Sequence, residues 1–413
     1  MGIAAETFRG RATSGLECPS CARGEGIATL YKLKGIPVHS AVLVPDADTA
    51  RRFPVGNLTL CWCPGCGLVF NAEFDPAMVK YGSGYEDAQG NSQTFTAFAR
   101  DLARTWIGRY GLSGARVVEI GCGQGDFLRL FCAESGCQGI GFDPAYIPGH
   151  SPDRPGVAFR AERFTETHAP VEADFIICRH TLEHIGAVGE FLRLMRRACG
   201  ESRTVRLGFE VPDLRRILVE GAFWDVYYEH ASYFTAGSLA RAFEAAGFEV
   251  LDVRRVYGNQ YLVLDAAPAA GTGAPLPPIA DDLEETAGLV EGFRREATGR
   301  IAGWRTRFAS WRAAGRRIAL WGSGSKAVGF LTTIGDLSIA DCVVDINPAR
   351  HGRFMPGCPM PIVAPATLAD LRPDIVIAMN PIYRDEIAAD LASRGLTPQL
   401  HTADERMSPE MQT

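Results

Sequence analysis

The stretch VVEIGCGQG, residues 117–125, decides the fold of this chain. An apolar strand predicted at Arg116–Ile120 runs into a turn with three glycines and then into a helix. At Gly121, Gly123 and Gly125 the absence of a Cβ lets the backbone come close to a ligand that a side chain would push away. The stretch therefore predicts the first strand, turn and helix of a ligand-binding α/β unit.

Two acidic residues beside this loop favour S-adenosylmethionine over a dinucleotide. Glu119 lies in the strand just before the glycines, and Asp143 ends the next predicted strand, Gln138–Phe142. A carboxylate in that second position can accept both ribose hydroxyls. The pattern E-x-G-x-G-x-G resembles the first motif of class I methyltransferases, which implies that S-adenosylmethionine binds here and that Phe164 lies near its adenine. The alternative, a glycine turn with a purely structural role, stays open.

Short apolar strands continue to alternate with helical stretches on both sides of a proline-rich segment, as in parallel α/β sheets. Strands are predicted at Phe175–Cys178 and Val205–Phe209, and again at Ile318–Trp321, Ala340–Val344 and Asp374–Met379. In the second set, Ile318–Trp321 leads into Gly322-Ser323-Gly324-Ser325-Lys326, so the chain is predicted to hold two Rossmann-like units.

Two C-x-x-C pairs near the N-terminus predict a metal site. They are Cys18 with Cys21 and Cys63 with Cys66. Each pair puts two thiolates on one tight turn, and two such turns form a tetrahedral four-sulfur site that suits structural zinc. Cys61 is left out of the set, because its two-residue offset from Cys63 suits the strand entering the turn. Free thiols or a redox pair are the competing interpretation.

The predicted domains follow from these features. Residues 1–75 form a zinc-binding domain, residues 76–266 the methyltransferase domain with a helical lead-in at 76–110, residues 267–280 a linker, and residues 281–413 a long helix plus a Rossmann-like domain. The long helix carries an apolar stripe at three- and four-residue spacing, which is predicted to be a packing face. The stripe consists of Phe293, Ala297, Ile301, Trp304, Phe308 and Trp311.

A second polar cluster lies at 224–234, WDVYYEHASYF. It crowds Glu229, His230 and three tyrosines into seven residues, a density that suits proton transfer because each group can tune its neighbour's pKa. An aromatic wall around a structural histidine is the equal alternative. The cluster at 179–184, RHTLEH, is interpreted mainly as helix-start and packing chemistry.

The composition of the chain limits the kinds of partner that it is expected to bind. The 413 residues carry a net charge of −6, whereas proteins that bind nucleic acid usually present a basic face. No apolar run is long enough to span a membrane, and the first fifteen residues lack the apolar core of a secretory signal. The expected protein is cytoplasmic and acts on a small molecule, with neither nucleic acid nor membrane as partner.

Four motifs, taken in their order along the chain, resemble those of the sugar C-methyltransferases of deoxysugar biosynthesis. They are the two C-x-x-C pairs, or knuckles, then E-I-G-C-G-x-G, Y-x-E-H-x-S-Y-F and G-x-G-x-K. The resemblance implies an α/β fold in which a class I methyltransferase domain is flanked by a zinc-binding domain and a C-terminal Rossmann-like domain. It also implies a nucleotide-linked keto sugar as acceptor, with His230 as base and with Tyr227 and Glu229 beside it. Tyr81 or Tyr85 is implied as a further site residue. The chain departs from the family at Tyr228, where a second histidine is usual, and over residues 81–93; both departures are expected around the acceptor pocket.

Other activities remain open at this stage. The same base could serve O-methylation of a sugar or another metabolite. A zinc-module RNA or protein methyltransferase is disfavoured by the nearly even charge of residues 1–75. A C-terminal dehydrogenase is disfavoured because the third glycine of the dinucleotide motif is missing after Lys326. A non-catalytic S-adenosylmethionine sensor would leave the Tyr-Glu-His cluster unexplained. The identity of the acceptor, the oligomeric state and nucleotide binding by the C-terminal domain are not predicted.

Overall fold

The computed structural model of the chain describes residues 15–79, 90–149, 154–271 and 275–406. The strands in this part of the chain, β1 to β17 in order, are Ala28–Pro37, Val55–Trp62, Val69–Asn71, Arg116–Ile120, Gln138–Phe142, Val157–Arg160, Phe175–Arg179, Arg206–Pro212, Ser232–Tyr233, Phe248–Val256, Tyr261–Pro268, Ile318–Trp321, Cys342–Val344, Phe354–Met355, Cys358–Val363, Ile375–Ala378 and Gln399–Thr402. The helices, α1 to α10, are Ala47–Arg51, Gln93–Tyr110, Asp126–Ser135, Val188–Ala198, Leu214–Glu220, Ala236–Ala245, Leu283–Ala313, Ser325–Ile334, Leu368–Leu371 and Arg384–Ser393.

The glycine loop lies at the centre of a seven-stranded sheet with the order β10-β11-β8-β7-β4-β5-β6. β4 pairs in parallel with β5 and β7, and β8 pairs in parallel with β7, whereas β11 runs antiparallel to both β8 and β10. The strands predicted at Arg116–Ile120 and Gln138–Phe142 are confirmed to the residue. Because parallel strands end at the same edge, the residues that follow β4, β5, β7 and β8 share one edge of this sheet.

A four-stranded antiparallel sheet, β1-β2-β3-β9, forms the N-terminal part. Its last strand does not come from the N-terminal residues. β9 belongs to the Tyr-Glu-His cluster, and it pairs Tyr233 with Val69 and Ser232 with Phe70 of β3. The N-terminal sheet is therefore completed by a segment of the methyltransferase region.

The C-terminal sheet has six strands in the order β14-β15-β13-β12-β16-β17, and all its pairs are parallel except β14–β15. The strand predicted at Ile318–Trp321 is confirmed. The strands predicted at 340–344 and 374–379 are shorter than expected and comprise Cys342–Val344 and Ile375–Ala378. Two backbone hydrogen bonds between Val44 and Phe354, each of 3.0 Å, join this region to the N-terminal part.

The long helix α7 packs its predicted apolar stripe into a core that N-terminal, central and C-terminal residues share. Phe293, Ala297, Trp304 and Phe308 are buried, and Ile301 and Trp311 pack against the same core. The ring of Phe293 meets that of Tyr31 in β1 edge to face at 5.3 Å. The prediction that this stripe is a packing face is confirmed.

The segment before α7 is bound to the central domain by a hydrogen bond and an ion pair. β11 continues to Pro268, two residues beyond the boundary expected at 266. Asp282 accepts a hydrogen bond from the backbone of Gly237 at 2.7 Å and pairs with Arg241 at 3.0 Å. The predicted domain boundaries therefore stay predictions, because the N-terminal sheet and the core around α7 extend across them. Among the helices of the described residues, none combines the length and the apolar character that crossing a membrane requires.

Candidate active site and metal centre

The four predicted metal ligands meet in one cluster. The Sγ atoms of Cys18 and Cys66 lie 3.5 Å apart and those of Cys21 and Cys63 lie 3.6 Å apart, and all four lie within 4.8 Å of one another. Sulfurs around a tetrahedral zinc are separated by about 3.8 Å, because each Zn–S bond is ~2.3 Å long. Four thiols at this spacing fit structural zinc. Cys61 lies outside the cluster and contacts Thr29 instead.

The first knuckle also touches the glycine-loop region. Leu16, Glu17 and Pro19 line a cavity of about 1010 Å³ that borders the glycine loop, and we call it the loop cavity. The carbonyl of Pro19 accepts a hydrogen bond of 3.0 Å from the backbone of Gly189, beside the start of α4. The metal cluster is thus built into the wall of this cavity.

The three loop glycines have left-handed backbones for different reasons. A Cβ on Gly121 would lie 1.9 Å from Oγ1 of Thr181, and one on Gly125 would lie 2.3 Å from the ring of Phe159. These two glycines therefore leave room for neighbouring side chains, and Gly121 also lines the loop cavity. Gly123, with φ +53°, has open space where its Cβ would be, and it lines the loop cavity. Of the two loop glycines that line this cavity, Gly123 is the one with open space at the Cβ position.

The other residues expected to hold S-adenosylmethionine surround the same cavity. Glu119, Asp143 and Phe164 line it. Oδ2 of Asp143 accepts from the backbone N–H of Gly123 at 2.9 Å, which ties the end of β5 to the loop. Phe164 meets Phe142 edge to face at 5.2 Å. Burial raises the pKa of Glu119 to about 8, against the attraction of the Arg179 guanidinium.

A second cavity, of about 850 Å³, lies between the central and C-terminal domains, and we call it the interdomain cavity. Tyr227, Glu229 and His230 line it from the central domain, and Lys326 and Asp345 line it from the C-terminal domain. His180 and His184, which follow β7, line both the interdomain and the loop cavity. The two cavities therefore meet at the cluster that the sequence had assigned mainly to packing.

His230 is buried at this junction. Its ring meets those of His184 and Tyr227 edge to face, at 4.9 and 4.8 Å between centroids. Within the described residues its Nδ1 is buried and has no hydrogen-bond partner. Burial and the neighbouring His184 lower the pKa of His230 to about 4. A neutral imidazole near pH 7 can accept a proton, which is the property that a general base needs.

His180 has a different environment. Its backbone has φ +48°, and its ring nitrogens lie 3.7 Å from Glu183 and 3.3 Å from Glu210. Although burial opposes it, the Glu210 and Glu183 carboxylates raise the pKa of His180 to about 9. At this junction the pKa of His180 is therefore raised while that of His230 is lowered. Glu183, His184 and His230 also bring one ligand atom each to within 4.8 Å of one another, which is a possible second metal set.

Tyr227 belongs to a buried polar network that crosses the domain interface. Its hydroxyl donates to Oδ1 of Asp225 at 2.8 Å. The same carboxylate pairs with Lys326 of the G-x-G-x-K motif and with Arg216. Although burial opposes it, these two cations hold the pKa of Asp225 well below its usual range. The C-terminal motif is thus connected to the tyrosine of the Tyr-Glu-His cluster.

The carboxylate of Glu229 is turned toward the N-terminal sheet. It pairs with Nδ1 of His39 and accepts hydrogen bonds from the backbone and the hydroxyl of Ser40. The Glu229 carboxylate is therefore bound by two residues of the loop that follows β1. The backbone carbonyl of Glu229 lies 3.2 Å from Nδ1 of His184.

The departure at Tyr228 lies away from the interdomain cavity. Its ring fills the space beside Gly56, where a Cβ would come within 2.5 Å of it, and its hydroxyl contacts the backbone of Glu73 and Asp75. The substitution therefore affects packing against the N-terminal part rather than the acceptor pocket, contrary to expectation. Tyr81 and Tyr85 lie outside the described residues.

Several site residues were missed by the sequence analysis. His39 carries no motif signal, because its partner Glu229 lies far away in the chain, and Asp225 was part of the quoted cluster but was not assigned to the site. His180 and His184 had a signal, since polar residues directly after a central parallel strand commonly face a ligand. Lys326 was part of a quoted motif but was not assigned to the site.

Comparison with known proteins agrees with this architecture. A methyltransferase domain model matches residues 91–253. A model of the C-methyltransferase C-terminal domain matches residues 284–395. The curated C-methyltransferase NovU of Streptomyces niveus is 28% identical over 371 residues, which cover 84% of this chain and 85% of NovU.

Solved structures match over the central part. The 1,6-didemethyltoxoflavin-N1-methyltransferase of Burkholderia thailandensis, with 1,6-didemethyltoxoflavin and S-adenosylhomocysteine bound, covers 43% of this chain and 81% of its own, at 22% identity and a TM-score of 0.34. CalO1, a methyltransferase in calicheamicin biosynthesis solved with S-adenosylhomocysteine, covers 42% of this chain and 54% of its own, at 21% identity and a TM-score of 0.36.

Proposed function

The chain is an S-adenosylmethionine-dependent methyltransferase of the C-methyltransferase family, as its motifs predicted, and from this premise we propose that it methylates a carbon beside the carbonyl of a nucleotide-linked keto sugar. The observation that carries the proposal is the meeting of the two cavities at His180 and His184, with His230 and Tyr227 on the interdomain side. A donor in the loop cavity and an acceptor in the interdomain cavity would face each other at this point.

We assign S-adenosylmethionine to the loop cavity. Asp143 is the proposed partner of the ribose hydroxyls, Glu119 of the ammonium group, and Phe164 of the adenine. The glycine loop would pass closest to the ligand at Gly123. When bound, the sulfonium supplies an electrophilic methyl group, so the protein has to align the donor with a nucleophile and generate that nucleophile.

His230 is the proposed base. Its neutral imidazole would take the proton from the carbon next to the acceptor carbonyl, and the electron pair of that C–H bond would pass to the carbonyl oxygen as an enolate. Tyr227 is the proposed donor to this oxygen: when the acceptor binds, its single phenolic hydrogen would turn from Asp225 to the enolate oxygen, while Lys326 and Arg216 keep the Asp225 carboxylate in place. The enolate carbon then forms a bond to the methyl carbon, while the C–S bond breaks and its electron pair stays on sulfur. The products are S-adenosylhomocysteine and a protonated His230.

The C-terminal domain is the proposed holder of the nucleotide. Gly322, Gly324, Lys326 and Asp345 line the interdomain cavity at the ends of β12 and β13, where α/β sheets commonly bind ligands. The cavity volume of about 850 Å³ lies within the range of sites that enclose a ligand of this size.

The test is methyl transfer from isotopically labelled S-adenosylmethionine to nucleotide-linked keto sugars, with the corresponding alcohols as matched probes. NMR of the product then locates the new methyl group. Carbon-bound methyl on the ketone supports the proposal. Methyl on oxygen, from the ketone or the alcohol, would establish the alternative O-methyltransferase.

A further inference from the structure

Three side chains from two segments converge where the loop cavity and the interdomain cavity meet. Glu183 and His184 come from the turn after β7, and His230 comes from the segment just before β9. Each brings one ligand atom to within 4.8 Å of the other two, and the rings of His184 and His230 lie 4.9 Å apart. Two imidazoles and one carboxylate form a ligand set that binds divalent transition metals.

Two of these side chains carry buried atoms that have no hydrogen-bond partner among the described residues. They are Oε2 of Glu183 and Nδ1 of His230. Both residues are at least nine-tenths buried, with exposed fractions of 2% and 9%. Buried polar atoms of a folded protein are usually satisfied, and a bound ion is one of the groups that satisfy them. The two atoms therefore point to a ligand at this place.

The third side chain is already oriented as a metal ligand. Nδ1 of His184 lies 3.2 Å from the backbone carbonyl of Glu229. Because a carbonyl oxygen only accepts, this nitrogen carries the proton, and in the neutral ring Nε2 carries the lone pair. Histidines that bind metals commonly donate their other ring N–H in this way, which fixes the tautomer and the ring orientation. On the carboxylate side, Oε1 of Glu183 faces Nδ1 of His180 at 3.7 Å, which leaves Oε2 for the ion.

We infer that Glu183, His184 and His230 form a second metal site, which takes one divalent ion of the zinc and cobalt class. Three protein ligands leave a coordination position open, and His184 places it at the wall of both cavities. Nitrogen and oxygen ligands around tetrahedral zinc are about 3.3 Å apart, so the ion would draw these side chains together. Four thiolates hold such an ion more tightly than two imidazoles and a carboxylate, so the second site fills only when metal is added.

Occupancy of this site has a consequence for the reaction, and that consequence rests on the proposed role of His230 as base. A ring nitrogen that binds a metal uses its lone pair for that bond, while the other nitrogen of the neutral ring already carries a proton. The metal-bound imidazole therefore has no position left to accept a proton from the acceptor. Methyl transfer should fall in proportion to the occupancy of the second site, and a chelator that leaves the cysteine site loaded should restore it.

The experiment adds Co²⁺ to the full chain with zinc already in the cysteine site, and measures the visible absorption of the ion and the cobalt retained after dialysis. The wild type is expected to retain about one cobalt per chain, without the intense near-ultraviolet charge-transfer band of cobalt thiolates. Glu183→Gln and His230→Ala each remove one ligand and are expected to lose this cobalt. Glu405→Gln is the matched control and is expected to keep it, because Glu405 pairs with His401 in a set that has no third ligand among the described residues.

A wild type that retains no cobalt, or only cobalt with the thiolate band, would overturn the inference, and this result does not depend on whether the variants fold. Cobalt that both Glu183→Gln and His230→Ala retain would overturn it as well. Failure of the proposed function is a separate result. Cobalt bound at this site with undiminished methyl transfer would leave the metal site in place and contradict His230 as the base.

Discussion

The imidazole rings of His184 and His230 meet edge to face with their centroids 4.9 Å apart, and His184 is part of the wall of both cavities. The proposed base therefore lies one ring away from the opening between donor and acceptor. A proton acceptor in this place is close to the carbon that has to meet the methyl group.

Metal analysis tests the four-cysteine site. Purified protein is expected to carry about one zinc per chain, as a closed four-sulfur site requires. Cys63→Ser should lose the metal, whereas Cys61→Ser, two residues earlier in β2 and outside the cluster, should keep it. Because Pro19 lines the loop cavity, we also expect metal loss to weaken S-adenosylmethionine binding. Metal-free protein of full stability would rule out the site, and two metals per chain would point to Glu183, His184 and His230 as a second one.

Calorimetry on Gly123→Asn tests the proposed location of the donor. Asparagine tolerates a left-handed backbone better than other residues with a side chain, so the variant should fold. Its side chain would occupy space that Gly123 leaves open in the loop cavity, and S-adenosylmethionine affinity should fall at least about tenfold, or ~1.4 kcal/mol. Gly111→Asn is the control, because Gly111 has a similar φ of +66° and open space at the exposed end of α2. Equal affinity in the two variants would place the donor elsewhere.

The pH dependence of donor binding tests Glu119. Its pKa of about 8 in the free protein means that the carboxyl is largely protonated at pH 7. The ammonium group of S-adenosylmethionine favours the carboxylate, so binding at pH 7 should release a proton and affinity should rise as pH increases through about 8. Calorimetry in two buffers of different ionisation enthalpy measures this release. Glu119→Gln should abolish it, and a wild type that releases no proton would contradict the assignment.

The features that the sequence predicted are those whose signals lie close together in the chain. The strand, glycine turn and helix at 116–135 follow one another without a break, and each zinc knuckle is complete within four residues. Strands β4 and β5 are buried in a parallel sheet and appear as short apolar runs, which explains why their bounds were predicted to the residue. β10 alternates buried and partly exposed residues, and neither it nor its partner β11 was predicted.

The parts that were not predicted depend on contacts between distant residues. His39 and Glu229 are separated by 190 positions, and only the folded chain reveals that β9 completes the N-terminal sheet and brings them together. The need for glycine at 121 and 125 has neighbours that are distant in the chain, because Thr181 lies in the turn after β7 and Phe159 in β6. A local pattern indicates that a glycine is needed but not which neighbour requires it.

His230→Ala tests the proposed base. S-adenosylmethionine affinity should remain near that of the wild type, because His230 lines the interdomain cavity rather than the loop cavity. Methyl transfer should fall by about a hundred- to ten-thousand-fold, the range expected for losing a general base. A variant that binds the donor normally and still turns over at the wild-type rate would return the Tyr-Glu-His segment to a structural aromatic wall.

The most direct measurement of the central claim is deuterium exchange at the carbon next to the carbonyl of a nucleotide-linked keto sugar, followed by NMR with S-adenosylhomocysteine bound in place of the methyl donor. The wild type is predicted to exchange this proton with solvent, and His230→Ala is predicted not to exchange it above the uncatalysed rate. Exchange at the wild-type rate in His230→Ala would contradict His230 as the base. No exchange in the wild type, together with methyl transfer to a hydroxyl, would contradict carbon as the nucleophile.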